Sequence, residues 1–301
     1  MKQILMKTTD SAVVGMVSAI LIVGLIVAVI SIIQVVYVPI IMEQREAEHM
    51  DKVTEQFGSL TSVIDSQAAF GTKGIPVATF VTLGNKELPF LVSSKAFGTL
   101  EILDNPLVDN TRSITITNSS GSQTFPIGAI TYSSDNAYYL EQSFTYEAGA
   151  MIVSQSQGNM LMIPPFFFVE YNETNYTVTI SFDVVNISSV GNKTIASSYG
   201  TYPIQTMFHH ISSNITFENV SNITIATPFS NAWFMFINRS LMNAGLNPVG
   251  LAYDQFTLTD TGQALQLDFP CTSADPDDCL KVRILFKIIE IQAQIGPGWV
   301  K

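Results

Sequence analysis

Residues 11–42, SAVVGMVSAILIVGLIVAVISIIQVVYVPIIM, contain no Asp, Glu, Lys or Arg. A helix of about 20 apolar residues crosses the hydrocarbon core of a bilayer, so this segment is long enough to span one. A secretory signal peptide has a shorter apolar run, of about 7 to 15 residues, and a small-residue cleavage site after it. Because this run is longer and ends without such a site, the sequence predicts a retained transmembrane helix.

The charges beside this segment differ on its two sides. Lys2 and Lys7 precede it, whereas Glu43, Glu46 and Glu48 follow it. Positively charged flanks favour the cytoplasmic side, so we expect a cytoplasmic amino terminus and an extracellular remainder. The predicted organisation is a short cytoplasmic leader (1–10), a transmembrane helix in contact with membrane lipid (11–42), an amphipathic helical extension (43–66) and an extracellular β-rich domain (67–301).

The helical extension has one apolar face. Its large apolar residues recur at spacings of three and four, which is typical of an amphipathic helix: Met50, Val53, Phe57, Leu60 and Ile64. Residues 12–66 would then form a helix about 80 Å long, with a bend at Pro39. We expect this stripe to pack against a partner, which is either the rest of the chain or the helices of neighbouring molecules.

After residue 66 the apolar pattern changes to short runs between turn residues. Segments such as 113–117 (SITIT) and 177–181 (TVTIS) are rich in β-branched residues, which favour strands. The sequence therefore predicts an α+β protein, in which a long N-terminal helix precedes a predominantly antiparallel, sandwich-like head. Ser, Gly and Asn accumulate at 191–198, where a boundary between two lobes is possible.

One segment of the head has helical rather than strand character. Ser230 is placed to cap a helix over residues 231–244, and Gly245 is placed to end it. Its expected buried stripe contains Trp233, Ile237, Leu241 and Ala244.

Two features agree with an extracellular head. Asn-x-Ser/Thr acceptors for N-glycosylation are frequent, and they occur at Asn118, Asn172, Asn175, Asn186, Asn192, Asn214, Asn219, Asn222 and Asn238. Cys271 and Cys279 bracket a turn-rich loop, and outside the cell such a pair is expected to form a disulfide. The competing interpretation of the acceptors is that many are ordinary polar residues of strands and turns.

Several functional classes lack support in the sequence. The net charge of −11 and the absence of a basic cluster exclude an electrostatic surface for nucleic acid. His209 and His210 are adjacent on an expected strand, so their side chains should point to opposite faces and should not share a metal. We find no nucleotide-binding, zinc-protease or nucleophile-elbow motif, and we predict no catalytic residue, metal or cofactor.

The most apolar segment of the head is 164–169, PPFFFV. Contiguous exposed aromatic residues commonly mark an interface, so this segment is a candidate docking edge. The interpretation that we favour is a core strand, buried on both faces, whose prolines set its start.

Residues 10–15 (DSAVVG) are followed by an uninterrupted aliphatic helix, and this start resembles that of archaeal type IV pilin-like proteins, which often open with a short charged leader and a similar run. Residues 37–39 (YVP), 46–51 (EAEHMD) and 57–65 are also similar to a group of uncharacterised archaeal surface proteins with a pilin-like N-terminal helix. In the head it is looser, and it covers residues 89–94 (PFLVSS), 98–102 (GTLEI) and 144–150 (FTYEAGA).

This resemblance implies a structural subunit that the membrane holds by its helix until it enters a filament, where it contacts other copies or other pilin-like subunits. Two alternatives remain open. The first is a permanently anchored, glycosylated surface or adhesion protein. The second, which the empty motif search disfavours, is a surface enzyme.

Overall fold

The computed structural model describes residues 4–86, 88, 93–104, 111–248, 255–270 and 279–298. A long N-terminal helix leads into a head built mostly of antiparallel strands. The predicted α+β class, with a sandwich-like head after the helix, is therefore confirmed.

The N-terminal helix is longer than the sequence predicts. It consists of α1 (Ile4–Ile32), a π-helical turn (Ile33–Tyr37) and α2 (Val38–Phe70). The irregular turn comes just before Pro39, and it is closed by the Val38 N–H, which donates to the Ile33 carbonyl five residues earlier. The helical path therefore continues through Pro39, with the π-helical turn placed directly before the proline.

The head contains sixteen strands and one helix among the described residues. The strands are β1 (Val77–Thr82), β2 (Phe97–Leu103), β3 (Ser113–Asn118), β4 (Gly121–Pro126), β5 (Ala129–Asp135), β6 (Gln142–Glu147), β7 (Ala150–Gln155), β8 (Gly158–Ile163), β9 (Phe166–Asn172), β10 (Thr177–Ser189), β11 (Ile195–Ser198), β12 (Thr201–Phe217), β13 (Val220–Ala226), β14 (Thr257–Asp260), β15 (Ala264–Asp268) and β16 (Lys281–Ile295). The helix is α3 (Ser230–Asn243).

The strands form three sheets. The central sheet has the order β1-β12-β16-β10-β9, the second sheet β11-β2-β5-β6-β7-β8, and the third sheet β14-β15-β13-β3-β4. All neighbours pair antiparallel except β10 and β16, which run in parallel through the middle of the central sheet.

Two apolar cores share the central sheet. The first core lies against α3 and the third sheet, and it includes Val178, Ile180 and Phe182 of β10. The second core lies against α2 and the second sheet, and it includes Val185 and Ile187 of the same strand. Since side chains alternate along a strand, the central sheet buries one face near the start of β10 and the opposite face near its end.

Two local predictions need comment. The possible lobe boundary at 191–198 contains β11, which pairs with β2, so this stretch is not simply a linker. The helix near 230 is present and ends at Asn243, and Gly245 follows it with a φ of +93°, which suits glycine. Its N-cap, however, is Phe229 rather than Ser230, and no side chain caps it.

The buried stripe of α3 is shorter than predicted. Trp233, Ile237 and Leu241 are buried, whereas Ala244 is only partly buried. Residue 244 follows the last helical residue, so the stripe ends one turn earlier.

Candidate functional site

The first half of the N-terminal helix has an apolar surface that the head does not cover. From Val13 to Ile33 every residue is exposed, and the most apolar part has a mean hydropathy of 3.0. Among the described residues, this is the one helix that is long and apolar enough to cross a membrane. Such a surface is unfavourable in water, so lipid or other helices must cover it.

The second half of the helix lies in the head. The predicted stripe, Met50, Val53, Phe57, Leu60 and Ile64, is buried in the second core. The Phe57 ring is fully buried, and its centroid lies 5.8 Å from that of Phe144 and 6.4 Å from that of Tyr132. The partner of the stripe is therefore the head of the same molecule.

A carboxylate holds the start of α2 to the head. Glu46 is fully buried, and its carboxylate accepts backbone N–H bonds from Ala137 at 3.2 Å, Tyr138 at 2.8 Å and Tyr139 at 2.7 Å. Hydrogen bonds to a charged acceptor are stronger than neutral ones, and three of them compensate for the burial of the charge. Glu46 therefore fixes the segment between β5 and β6 against the helix.

Further polar contacts follow along the same helix face. His49 Nε2 lies 2.9 Å from the Thr82 carbonyl, and burial lowers the pKa of the imidazole more than this bond raises it. Gln56 accepts from the Thr82 N–H at 2.8 Å, and Gln67 donates to the Thr206 carbonyl at 2.8 Å. These side chains hold the helix to the last residue of β1 and to β12.

Sequence reasoning missed these polar groups. Glu46, His49 and Gln67 lie on the buried face of α2, in register with its apolar residues. The available signal was the spacing: Glu46 is four residues before Met50, His49 is four before Val53, and Gln67 is three after Ile64. The helical period therefore places these polar side chains on the buried face. Their partners come from distant strands, so the sequence does not identify them.

The head also contains a buried ion pair. The Arg112 Nε lies 2.8 Å from the Glu147 carboxylate, which also accepts from the Thr227 hydroxyl at 2.7 Å. Burial raises the pKa of Glu147, and the bonds from Thr227 and Arg112 oppose this shift. The pair joins the second sheet to the segments beside β3 and α3, and we assign it a structural role.

The two adjacent histidines contradict the prediction. Their rings do not point to opposite faces, because the centroids of His209 and His210 are 4.5 Å apart. The β12–β16 register shifts between Phe208 and His210, so His209 is the extra residue of a bulge, and a bulge breaks the alternation of side chains. Among the described residues, no group of three potential ligands is placed to hold a metal.

The interpretation of residues 164–169 as a strand buried on both faces is also wrong. The prolines do precede β9, but β9 is an edge strand of the central sheet. Phe166 and Phe168 are 62% and 60% exposed, while Phe167 and Val169 pack on the first core. The exposed aromatic edge, which was the less favoured interpretation, is the one that the structure contains.

The glycosylation acceptors differ in their surroundings. Five are exposed: Asn172, Asn175, Asn192, Asn214 and Asn219. Asn118 and Asn238 are partly buried. Asn186 and Asn222 use their amide nitrogens as donors, the former to Glu290 at 3.0 Å and the latter to Asp268 at 2.7 Å. A glycan on either nitrogen would break an existing hydrogen bond.

The predicted disulfide includes Cys271, which lies outside the described residues. The pairing of Cys271 with Cys279 therefore stays a prediction.

Comparison with known protein families assigns the chain to one of them. A model of a family of unknown function, DUF7289, matches residues 11–247. Comparisons with curated proteins and with solved structures gave no match. The family match begins with the apolar segment, continues past α3 and covers well over half of the chain, so the protein belongs to DUF7289.

Proposed function

We propose that this protein is a structural cell-surface protein, a pilin-like subunit of a filament similar to a type IV pilus or a protein associated with one. The observation that carries the proposal is the division of one long helix into two parts. Residues 13–37 present an apolar surface outside the head, and residues 38–70 are packed into it. A subunit whose exposed helix packs first in lipid and then against other subunits needs both parts.

The same proposal includes an orientation. Lysines precede the apolar segment and acidic residues follow it, which favours a cytoplasmic amino terminus and an extracellular head. Glycans on the exposed acceptors and a disulfide between Cys271 and Cys279 would suit that location. The proposed partners are membrane lipid along residues 11–42 and further copies or other pilin-like subunits.

A second candidate function is a permanently anchored surface or adhesion protein. It is favoured by the complete burial of the stripe from Met50 to Ile64 under the head. Because the head satisfies this surface alone, the folded molecule needs no neighbouring subunit outside the membrane. The two candidates differ in what covers residues 13–37 in the mature state.

Peptide mass spectrometry of the protein from its native cells separates the two candidates. A filament subunit is expected to have a mature amino terminus clipped ahead of the apolar helix, whereas a permanently anchored protein keeps Met1. The same spectra report glycan masses, which we expect on Asn192 and Asn214 but not on Asn186.

Cross-linking between cysteines provides an independent test. Leu25→Cys, in the exposed half of the helix, should cross-link neighbouring copies within isolated surface filaments. Ser119→Cys, in the exposed turn between β3 and β4, is the matched control and should not do so. If Leu25→Cys gives only monomers in the cell surface fraction, the filament role is wrong and permanent anchoring is supported.

A further inference from the structure

A cleft of about 370 Å³ lies where α2 ends against the central sheet. Val185, Ile289 and Pro165 are buried residues at its base, and Asp65 and Ala68 contribute from the last turns of the helix. The size and the mainly apolar lining are typical of sites for small ligands or for a single side chain of a partner.

The charged groups of the cleft give it a net negative character. Asp183 and Lys287 form an ion pair at 3.2 Å and lie on its wall, so their charges largely cancel. Asp65 accepts a hydrogen bond from the Tyr146 hydroxyl at 3.3 Å, but no cation pairs with it in the part of the chain that the structure describes. Although Asp65 is at the rim, desolvation raises the pKa of its carboxyl.

The end of the helix adds to this negative potential. The carboxyl-terminal end of a helix carries a partial negative charge, and the last turn of α2 contains no basic residue to offset it. A cation between Asp65 and this helix end would therefore be stabilised by both. An anion would meet repulsion from both.

The remaining walls are apolar and partly aromatic. Pro164 and Phe166 also line the cleft, and the Phe166 side chain is largely exposed. An aromatic face attracts a cation, and the prolines offer a rigid surface for a hydrocarbon stem. The cleft is thus suited to a ligand with a cationic group at the end of an apolar stem.

We propose that this cleft binds an organic cation, an ammonium or guanidinium group on an apolar stem. Asp65 pairs with the cation, Phe166 covers it, and Val185 and Ile289 contact the stem. The cation is supplied either by a free amine or by a lysine or arginine side chain of a polypeptide, and the recognition chemistry is the same. The inference does not depend on filament assembly.

The experiment titrates butylguanidinium into the full chain in detergent micelles, with the methyl groups of Val185 and Ile289 followed by NMR. We expect saturable shifts with a Kd in the millimolar range, about 1 mM. Butylurea, which has the same shape without the charge, is the ligand control and should leave these methyl groups almost unchanged. Equal shifts with butylurea would overturn the proposal.

Three variants test the assigned groups. Asp65→Asn should weaken binding about fivefold, and Lys287→Gln should strengthen it by a similar factor because the competing cation is gone. Asp135→Asn, an exposed carboxylate at the end of β5, is the control and should bind as the native protein does. Unchanged affinity in both Asp65→Asn and Lys287→Gln would overturn the proposal, and methyl groups outside the cleft report whether each variant is folded.

A second titration separates the two sources of the cation. The probe is the peptide acetyl-Leu-Arg-Leu-amide, with its citrulline analogue as the uncharged control. Binding about tenfold tighter than butylguanidinium supports the cleft and assigns it to a polypeptide side chain. Equal affinity of the two cations supports the cleft and assigns it to a free amine.

Discussion

The two halves of the N-terminal helix differ in how their sequence relates to the head. Residues 13–33 are all exposed and mostly apolar, whereas α2 has one buried apolar face with polar groups at defined positions along it. The second half is specific, because Glu46, His49, Gln56 and Gln67 each have a partner in the head.

This difference separates membrane affinity from folding. Apolar residues that stay exposed in the folded monomer add nothing to the stability of the head, whatever their hydropathy. The apolar stripe of α2 is buried on folding. Each large apolar side chain in it contributes about 1.5 to 3 kcal/mol to the free energy of unfolding. We therefore expect substitutions in the two halves to have separate consequences.

The largest effect is expected from Phe57→Asp combined with Leu60→Asp. Both side chains are fully buried in the second core. Two unpaired carboxylates there would cost on the order of the whole stability of a typical domain, which is about 5 to 15 kcal/mol. The head should lose its cooperative thermal unfolding transition, which near-UV circular dichroism measures.

Ser62→Asp is the matched control for this double variant, because Ser62 is on the exposed face of the same helix. It should unfold as the native protein does. A folded head in the double variant would show that α2 is not part of the core, and the comparison between the halves would be wrong.

A smaller but clear effect is expected from Glu46→Ala. The change leaves the backbone N–H groups of residues 137–139 without their acceptor, at a cost of about 3 kcal/mol in the free energy of unfolding. Urea denaturation measures this value. Glu48→Ala, two residues further along on the exposed side, should cost less than about 0.5 kcal/mol, and equal costs would contradict the assigned role of Glu46.

His49 should make the junction sensitive to acid. Burial lowers its pKa from 6.5, so the unfolded chain takes up the proton more readily than the folded one. The stabilising contribution is therefore complete above about pH 6.5 and is lost as the pH falls through the folded pKa.

The measurement is the free energy of unfolding of the native protein and of His49→Gln between pH 7.5 and 5. The difference between the two should shrink as the pH falls. Ser62→Gln, on the exposed face of the same helix, changes no titratable group and serves as the control, so its difference from the native protein should stay constant. A constant difference for His49→Gln would contradict the burial of a neutral imidazole.

The smallest effect on the head is expected from removing residues 1–36. The remaining chain keeps α2 and its contacts, so the free energy of unfolding should change by less than about 0.5 kcal/mol in the same detergent. The truncated protein should also stay soluble after the detergent is removed. A large loss of stability would mean that the exposed half does contribute to the fold.

The sequence was a good guide to the helix because its signals are local. The apolar run is continuous, and the stripe of α2 follows spacings of three and four that any amphipathic helix shows. The strand-rich head was predictable for the same reason, from β-branched runs such as SITIT and TVTIS. These patterns are set by neighbours in the chain.

The errors concern properties that depend on distant residues. An apolar run such as PPFFFV does not reveal whether its strand lies in the middle or at the edge of a sheet, and β9 is at the edge. The bulge at His209 depends on the register between β12 and β16. The partners of Glu46 lie about 90 positions further along the chain, so its role could not be predicted.

The π-helical turn at Ile33–Tyr37 sets the rotational phase between the two halves of the helix. Each residue of an α-helix turns the side-chain direction by about 100° around the helix axis. A π-helical turn has more residues per turn, so it changes which side of residues 13–32 is aligned with the buried face of α2. Deleting Val35 would rotate the apolar half about its axis while leaving every contact of the head intact. The orientation of the apolar half about its axis, relative to the head, is therefore set by five residues that belong neither to the second core nor to the lining of the cleft.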